Sequence, residues 1–425
     1  LAVDAVDWTT VQAERPLPAV PADAPAYVIY ASGSTGRPKG VVVAHGGAVQ
    51  LAHTQAARLE IGPEGRVLQF AAFGFDASVF EWVLALCHGA RLCMPAVEEV
   101  LGGETLETVV AREGITHALL PPVALASLPA QARLASLRVL VSGGEALSSS
   151  LASRWRVGRR LFNAYGPTED TVVSTLHACE KDESPVPIGR PLPGHRAYVL
   201  DERMRPVPVG VSGELYVGGA GVALGYLNRP TLTGERFLPS PFEQGERLYR
   251  TGDVVRWRAD GVLEYQGRND DQVKLRGYRI EPGEIAAALE SQPGVEEALV
   301  QVRADVPGSP ERQLVAYWRG AAQLQALHAA LSSVLPAHQV PAAYVRVDAW
   351  PVTANGKVDR TRLPAPKARA GAESSSYVAP RNPMEEALTA LWAEHLGVMR
   401  VGVRDNFFRQ GGHSLLGIRL IAAVN

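Results

Sequence analysis

The chain has 425 residues, 46% of them apolar and 20% charged, with a net charge of −2, so about two to three globular domains are expected, and no basic block argues for a nucleic-acid partner. No apolar run approaches the length of a membrane span, and the opening LAVDAVDWTT has neither the basic nor the apolar stretch of a signal peptide. Cys87, Cys93 and Cys179 form an odd set without CxxC spacing, which points away from a disulfide framework or zinc site and towards a reducing, cytoplasmic setting.

The opening reads as the interior of a domain, and with no initiator Met the chain is expected to be a piece of a longer protein. The run AYVIYA is β-branched and aromatic and ends in SGSTG: a buried strand feeding a glycine loop. Strand-like runs recur at RVLQFA, THALL, LRVLVS and LFNAY, with helical stretches such as AVQLAHTQAARL and SSSLASRWR between them. That alternation predicts α/β layers around a parallel sheet. From about residue 195 to 267 the texture changes to short strands with Asp-Gly and Gly-Gly turns. After GRNDDQ comes a strand VKLRGYRI, a helix EIAAALES, strands EALVQVRA and RQLVAYW, a helix LQALHAALSSVL and a strand AYVRVDAW, a compact α+β unit. A Pro-, Ala- and Ser-rich linker follows. Asn382 then caps, Pro383 suits the first helical position and Glu385 completes a capping box, with Leu388, Leu391, Trp392 and His395 on one face.

Five motifs hold residue types suited to chemistry. In ASGSTGRPKGV, residues 31–41, glycines and hydroxyls after a strand can wrap phosphate oxygens, and Lys39 adds charge. It is not a Walker A loop, because Pro38 precedes the lysine and Gly40 follows it; a plain surface turn is equally compatible. In NAYGPTEDT, residues 163–171, Tyr165 can stack on a base, Thr168 can bind phosphate and Glu169 can hold Mg²⁺, though an ordinary turn with a cap has the same letters. Asp253 in YRTGD can accept from ribose hydroxyls and Arg268 can reinforce it; either alone reads as a loop ion pair. Lys357 in NGKVDR sits beside a tight turn, a place where most lysines are simply solvated. Ser414 in GGHSLL precedes an amphipathic run and on its own reads as a helix N-cap.

Together, in this order, these motifs resemble the adenylate-forming superfamily, and the close match is the adenylation domain of nonribosomal peptide synthetases followed by the start of a peptidyl carrier domain. The resemblance covers essentially the whole chain. It implies an α/β large core with a β-rich segment over residues 1–269, with its front part missing. It also implies a small mobile α+β subdomain over 270–365, a linker over 366–380 and a partial helical carrier domain over 381–425. FDASVFEW at 75–82 separates the amino-acid-activating branch from acyl-CoA synthetases, since the aspartate matching Asp76 pairs with the substrate's α-ammonium.

The resemblance also implies roles. Ser32, Gly33, Ser34, Thr35, Gly36 and Lys39 hold the departing phosphates of ATP; Ala31 stands where many relatives have Thr, so one hydroxyl is missing. Thr168 contacts the α-phosphate and Glu169 holds Mg²⁺. Tyr165 stacks on adenine with Asn163 near its edge, and Asp253 and Arg268 hold ribose. Lys357 bridges the substrate carboxylate and the nucleotide. Asp270 marks the hinge about which the small subdomain swings, and Lys274 belongs to the face presented for the second step. Ser414, with Asp405, Gly411, Gly412 and His413 around it, takes a covalent 4′-phosphopantetheine. The selectivity pocket maps to Asp76, Ala77, Phe80, Leu119, Val141, Gly143, Ala164, Val172, Val173 and Lys357. Without Asp76 and Lys357 that lining is wholly apolar, so a hydrophobic amino acid of medium to large size is expected, aromatic slightly ahead of branched aliphatic. Partners implied are a carrier domain in cis and condensation or other synthetase domains, with an MbtH-like accessory protein left open. The alternatives are an acyl-CoA synthetase-like ligase and a non-catalytic adenylation-fold platform.

Overall fold

The computed structural model describes residues 19–31, 38–96, 103–129, 131–270, 272–275, 278–304, 312–351, 358–366, 377–396, 400–405, 407 and 420. Among these, the expected α/β layering is present as a seven-stranded sheet. Its order is Arg91–Cys93, Arg66–Leu68, His117–Leu120, Val139–Gly143, Arg160–Tyr165, Thr175–Ala178, Arg190–Pro191. The first five strands run parallel, and the last two pairings, to Thr175–Ala178 and from it to Arg190–Pro191, are antiparallel.

The strands alternate between two cores, as a period of two requires. Ala118, Leu120, Leu140 and Leu161 face one core, with Leu106, Val109 and Val110 from the helix Gly103–Glu113 and Trp155 from the helix Ser149–Trp155. Leu119, Val139, Val141, Phe162 and Ala164 face the other, against the helices His45–Leu59 and Asp76–Leu86.

The β-rich segment forms a five-stranded antiparallel sheet, with Arg247–Trp257 paired to Ser212–Gly219, Phe237–Pro239 and Leu263–Arg268. A three-stranded sheet of Pro25–Ala31, Lys39–Ala44 and Gly225–Tyr226 shares a core with it. The following α+β unit has its own three-stranded sheet, Val295–Arg303, Gln313–Gly320 and Ala343–Arg346, with the helices Pro282–Glu290 and Leu324–Val334 on one face.

The run VKLRGYRI, expected as one strand, is two. Val273–Leu275 and Tyr278–Ile280 pair antiparallel, with Lys274 opposite Arg279; residues 276 and 277 between them lie outside the described residues. The helix Pro383–Leu396 begins as the capping pattern predicts, with the Glu385 N–H donating to Asn382 Oδ1 at 2.9 Å. The Glu385 carboxylate reaches one residue further back than a capping box would place it, accepting from the Arg381 N–H at 2.8 Å.

Candidate active site

The site forms where the carboxyl ends of the parallel strands meet the β-rich sheet, the place where open α/β sheets bind ligands. The strand Arg160–Tyr165 ends there and the chain bends through Gly166-Pro167 into a 3₁₀ turn, Thr168–Asp170. Thr171 and Val172 then both take positive φ, 47° and 71°. A β-branched residue in that region is strained, and the fold holds it there because the Thr171 hydroxyl donates to the Gly221 carbonyl at 2.6 Å.

The reversal brings residues 172–174 under Gly166. A Cβ on Gly166 would lie 2.3 Å from the Val172 carbonyl oxygen and 2.7 Å from Val173 Cα. Gly166→Ala is therefore expected to destabilise the protein by about 1–3 kcal/mol, the usual cost of overpacking. Denaturant unfolding of the variant checks this, and a stability equal to wild type would refute the packing argument.

Glu169 is fully buried and both its oxygens are taken. Oε1 accepts from Tyr226 Oη at 2.7 Å and from Lys39 Nζ at 3.1 Å; Oε2 accepts from Arg279 Nη1 at 2.7 Å. Burial by itself would raise its pKa, but Arg279, Lys39 and the tyrosine hydroxyl together hold the carboxyl well below the usual carboxylate range. Beneath the turn, His195 Nδ1 and Asp170 Oδ2 meet at 3.0 Å in a buried pair. Burial would lower the His195 pKa; the Asp170 charge raises it above the ordinary value instead.

Asp253 and Arg268 stand directly opposite each other on paired strands, 2.6 Å apart. The Tyr165 hydroxyl donates a short hydrogen bond to the other Asp253 oxygen. The same guanidinium grips Asp270 at 2.6 and 2.8 Å and the Thr251 carbonyl at 3.0 Å. The carboxylate expected at the hinge is thus clamped, two N–H groups to two oxygens, by the arginine expected at the ribose.

The 273–280 hairpin closes the site. Lys274 Nζ lies 5.3 Å from the centre of the Tyr165 ring. Burial lowers the Lys274 pKa, with Asp253 and Asp76 opposing the shift. Tyr278 meets Phe75 edge to face at 5.3 Å and stacks on His338 at 3.9 Å.

Asp76 opens the helix Asp76–Leu86 and hydrogen-bonds the Thr168 side chain. Burial pushes its carboxyl up, while that hydrogen bond opposes the rise. Behind it, Phe80, Leu119, Val141, Ala164, Val172 and Val173 belong to one apolar cluster, with Ala77 packed against it. Gly143 ends the strand Val139–Gly143 opposite Ala164, whose carbonyl oxygen would lie 3.0 Å from a Cβ there. The segment leading to Asp76 is fixed by buried Glu81, which accepts from Gln69 Nε2 at 2.7 Å and from the N–H groups of Phe70 and Ala71 at 3.2 and 3.1 Å.

Residues 2–227 match the family model described as AMP-binding enzyme. The chain belongs to that family. Within it, the chain is an adenylation domain of the nonribosomal peptide synthetase kind. It is 49% identical, over 94% of its length, to one subunit of the linear gramicidin synthase of Brevibacillus parabrevis and 46% identical, over 97%, to the phosphinothricin tripeptide synthetase PhsC of Streptomyces viridochromogenes. The chain spans 5% and 38% of those two proteins. Among solved structures it resembles the holo form of a synthetase protein containing adenylation and PCP domains, bound to a vinylsulfonamide inhibitor. The TM-score is 0.77 and the identity 32%, with 98% of this chain and 71% of that one covered.

In this adenylation domain the structure brings Ala77, Phe80, Leu119, Val141, Ala164, Val172 and Val173 into one cluster, and sets Tyr165 against Asp253 and Lys274, with Arg268 paired to Asp253. Ser32, Gly33, Ser34, Thr35, Gly36, Lys357, Gly411, Gly412, His413 and Ser414 lie outside the described residues. Three expectations are altered. Thr168 is engaged with Asp76. The Tyr165 ring is only 5% exposed and carries Lys274 over a face, so a stacked base shares the ring with that ammonium or displaces it. Asn163 gives its amide to the Pro187 carbonyl at 2.7 Å.

The Mg²⁺ expected at Glu169 does not fit this arrangement. Three donors, two of them cationic, already fill the carboxylate, whereas a magnesium site needs unengaged oxygens. The motifs in the sequence do not single out Arg279, Tyr226, His195 or Glu81. Arg279 is within reach of sequence reasoning: opposite residues of an antiparallel pair share a face, so a hairpin reading of VKLRGYRI sets it beside Lys274.

Proposed function

We propose that this adenylation domain activates a hydrophobic amino acid with ATP and passes it, as a thioester, to a phosphopantetheine thiol on the carrier segment that follows. One juxtaposition supports the reading best: a single partly buried carboxylate, Asp76, at the edge of an otherwise apolar cluster. An ammonium group and an apolar side chain on neighbouring atoms would satisfy both, and an amino acid carries both. A charged side chain in the cluster would be desolvated without a partner.

In the first step the amino acid's carboxylate oxygen attacks the α-phosphorus of ATP. The bond from that phosphorus to the bridging oxygen of the β-phosphate breaks, and pyrophosphate leaves. The protein's part is to position and to stabilise charge. Asp76 holds the ammonium, Asp253 and Arg268 the ribose, Tyr165 the base, and Lys357 the crowded negative charge. Lys39 and the loop 32–36 hold the leaving phosphates. In the second step a thiolate attacks the acyl carbon and the bond to the AMP oxygen breaks, leaving AMP. The arm, when attached at Ser414, supplies that thiol. Condensation or other synthetase domains would use the thioester, and an MbtH-like protein is a candidate accessory partner.

Exchange of labelled pyrophosphate into ATP, run with each amino acid in turn, tests the substrate. Exchange is expected with Phe, Tyr, Leu, Ile or Val. Clear preference for Asp, Lys or Gly would overturn the reading.

A further inference from the structure

We propose that Arg279 and a divalent cation are exclusive occupants of Glu169, so that the 273–280 hairpin docks on the core only when no metal is held there. The ion competition stands on geometry; its bearing on the order of the two half-reactions rests on the proposed function.

Glu169 has no solvent-exposed surface, and its two oxygens accept from Tyr226, Lys39 and Arg279 at 2.7, 3.1 and 2.7 Å. Lys39 and Tyr226 belong to the core itself, on paired strands. Arg279 is the member that arrives from another element, 110 residues away in sequence. A guanidinium keeps its charge at all accessible pH, so it cannot yield its place by losing a proton. A dication at the same carboxylate would face that fixed charge at contact distance in a buried site, where little solvent screens the repulsion.

The exclusion acts on the hairpin because Arg279 supplies its ion pair to the core among the described residues. Among the described residues the hairpin also meets the core through Lys274 over Tyr165 and the edge of Tyr278 on Phe75. Arg279 Nη2 also reaches Tyr249 Oη at 3.4 Å. If a metal accompanies ATP and pyrophosphate, its departure leaves Oε2 of the buried carboxylate without a partner, and Arg279 takes that place. Loss of pyrophosphate and docking of the hairpin are then one event.

The test uses the full chain, with Mn²⁺ as the metal probe, alone and with a non-hydrolysable ATP analogue. Hydrogen exchange at Tyr278, Arg279 and Ile280 reports docking; electron paramagnetic resonance counts bound Mn²⁺. In wild type, saturating Mn²⁺ with the analogue is expected to speed exchange of these amides at least fivefold. Arg279→Gln is expected to exchange fast from the outset and to bind Mn²⁺ about tenfold more tightly, whereas Glu169→Gln should lose that tightening. Arg279→Lys keeps the charge and should lie between, which separates loss of charge from loss of fold. Unchanged exchange in wild type with Mn²⁺ bound, or equal Mn²⁺ affinity in wild type and Arg279→Gln, would overturn the proposal. Pyrophosphate exchange on the same wild-type protein tests the proposed function separately: its failure would leave the metal result standing.

Discussion

Asp76→Ala is expected to lower kcat/KM for the amino acid by about 30-fold to a few thousandfold in pyrophosphate exchange. Truncating one member of a buried, hydrogen-bonded charge pair costs about 2–5 kcal/mol, and each 1.4 kcal/mol is about tenfold. The loss should fall on the amino acid and leave KM for ATP nearly unchanged, because Asp253 and Arg268, the residues proposed to hold ribose, form a separate ion pair. Asp76→Asn should fall between, since an amide can still meet Thr168 but brings no charge. The pH dependence has a definite sign. Burial holds the Asp76 pKa above the ordinary value, and only the ionised form pairs with an ammonium. KM for the amino acid should therefore rise as pH falls through that raised pKa, and Asp76→Asn should flatten the profile. An Asp76→Ala variant with wild-type KM for its amino acid would remove this residue from the substrate site.

How far the site is legible in the sequence depends on the distance over which each contact acts. The parallel core is legible because its strands alternate faces every second residue, as Leu119 between Ala118 and Leu120 shows. The apolar cluster behind Asp76 is reached from the sequence through the family resemblance, which maps Phe80, Leu119, Val141, Ala164, Val172 and Val173 to one place, and those residues do share a cluster. Partners brought together by the tertiary fold are not reached this way. Tyr226 and Arg279 reach Glu169 across 57 and 110 residues, and His195 reaches Asp170 across 25. Each is a common residue with no local pattern marking it. Glu81 is hidden differently: it stands within FDASVFEW, where helical periodicity shows a polar interruption but not that it holds the backbone leading to Asp76. Composition could not reveal that Thr168 and Glu169 already have protein partners in this arrangement, because those contacts, Arg279 from the hairpin included, are set by the tertiary fold.

Two lysines should divide the two half-reactions between them. Lys357→Ala is expected to reduce pyrophosphate exchange by about 10²–10³-fold, the range for removing one preorganised donor from a developing charge. It should leave the transfer of preformed aminoacyl-AMP to the carrier thiol within a few-fold of wild type. Lys274→Ala is expected to do the reverse. The structure gives the reason for the second half. Lys274 lies over Tyr165, within electrostatic reach of Asp253 and Asp76, so in the docked arrangement its ammonium stands among the residues proposed to hold base, ribose and amino acid. Its charge is then available to the AMP oxygen that departs in the second step. Because Lys274 is carried on the same hairpin as Arg279, it reaches that place only when Glu169 has accepted the arginine. Isolated adenylate supplied to each variant, with label followed into the carrier thioester, measures the second step alone. If both variants lose both steps to the same degree, the division fails and the lysines serve one common state. If Lys274→Ala retains full transfer, the hairpin contributes shape to the second step and its ammonium does not.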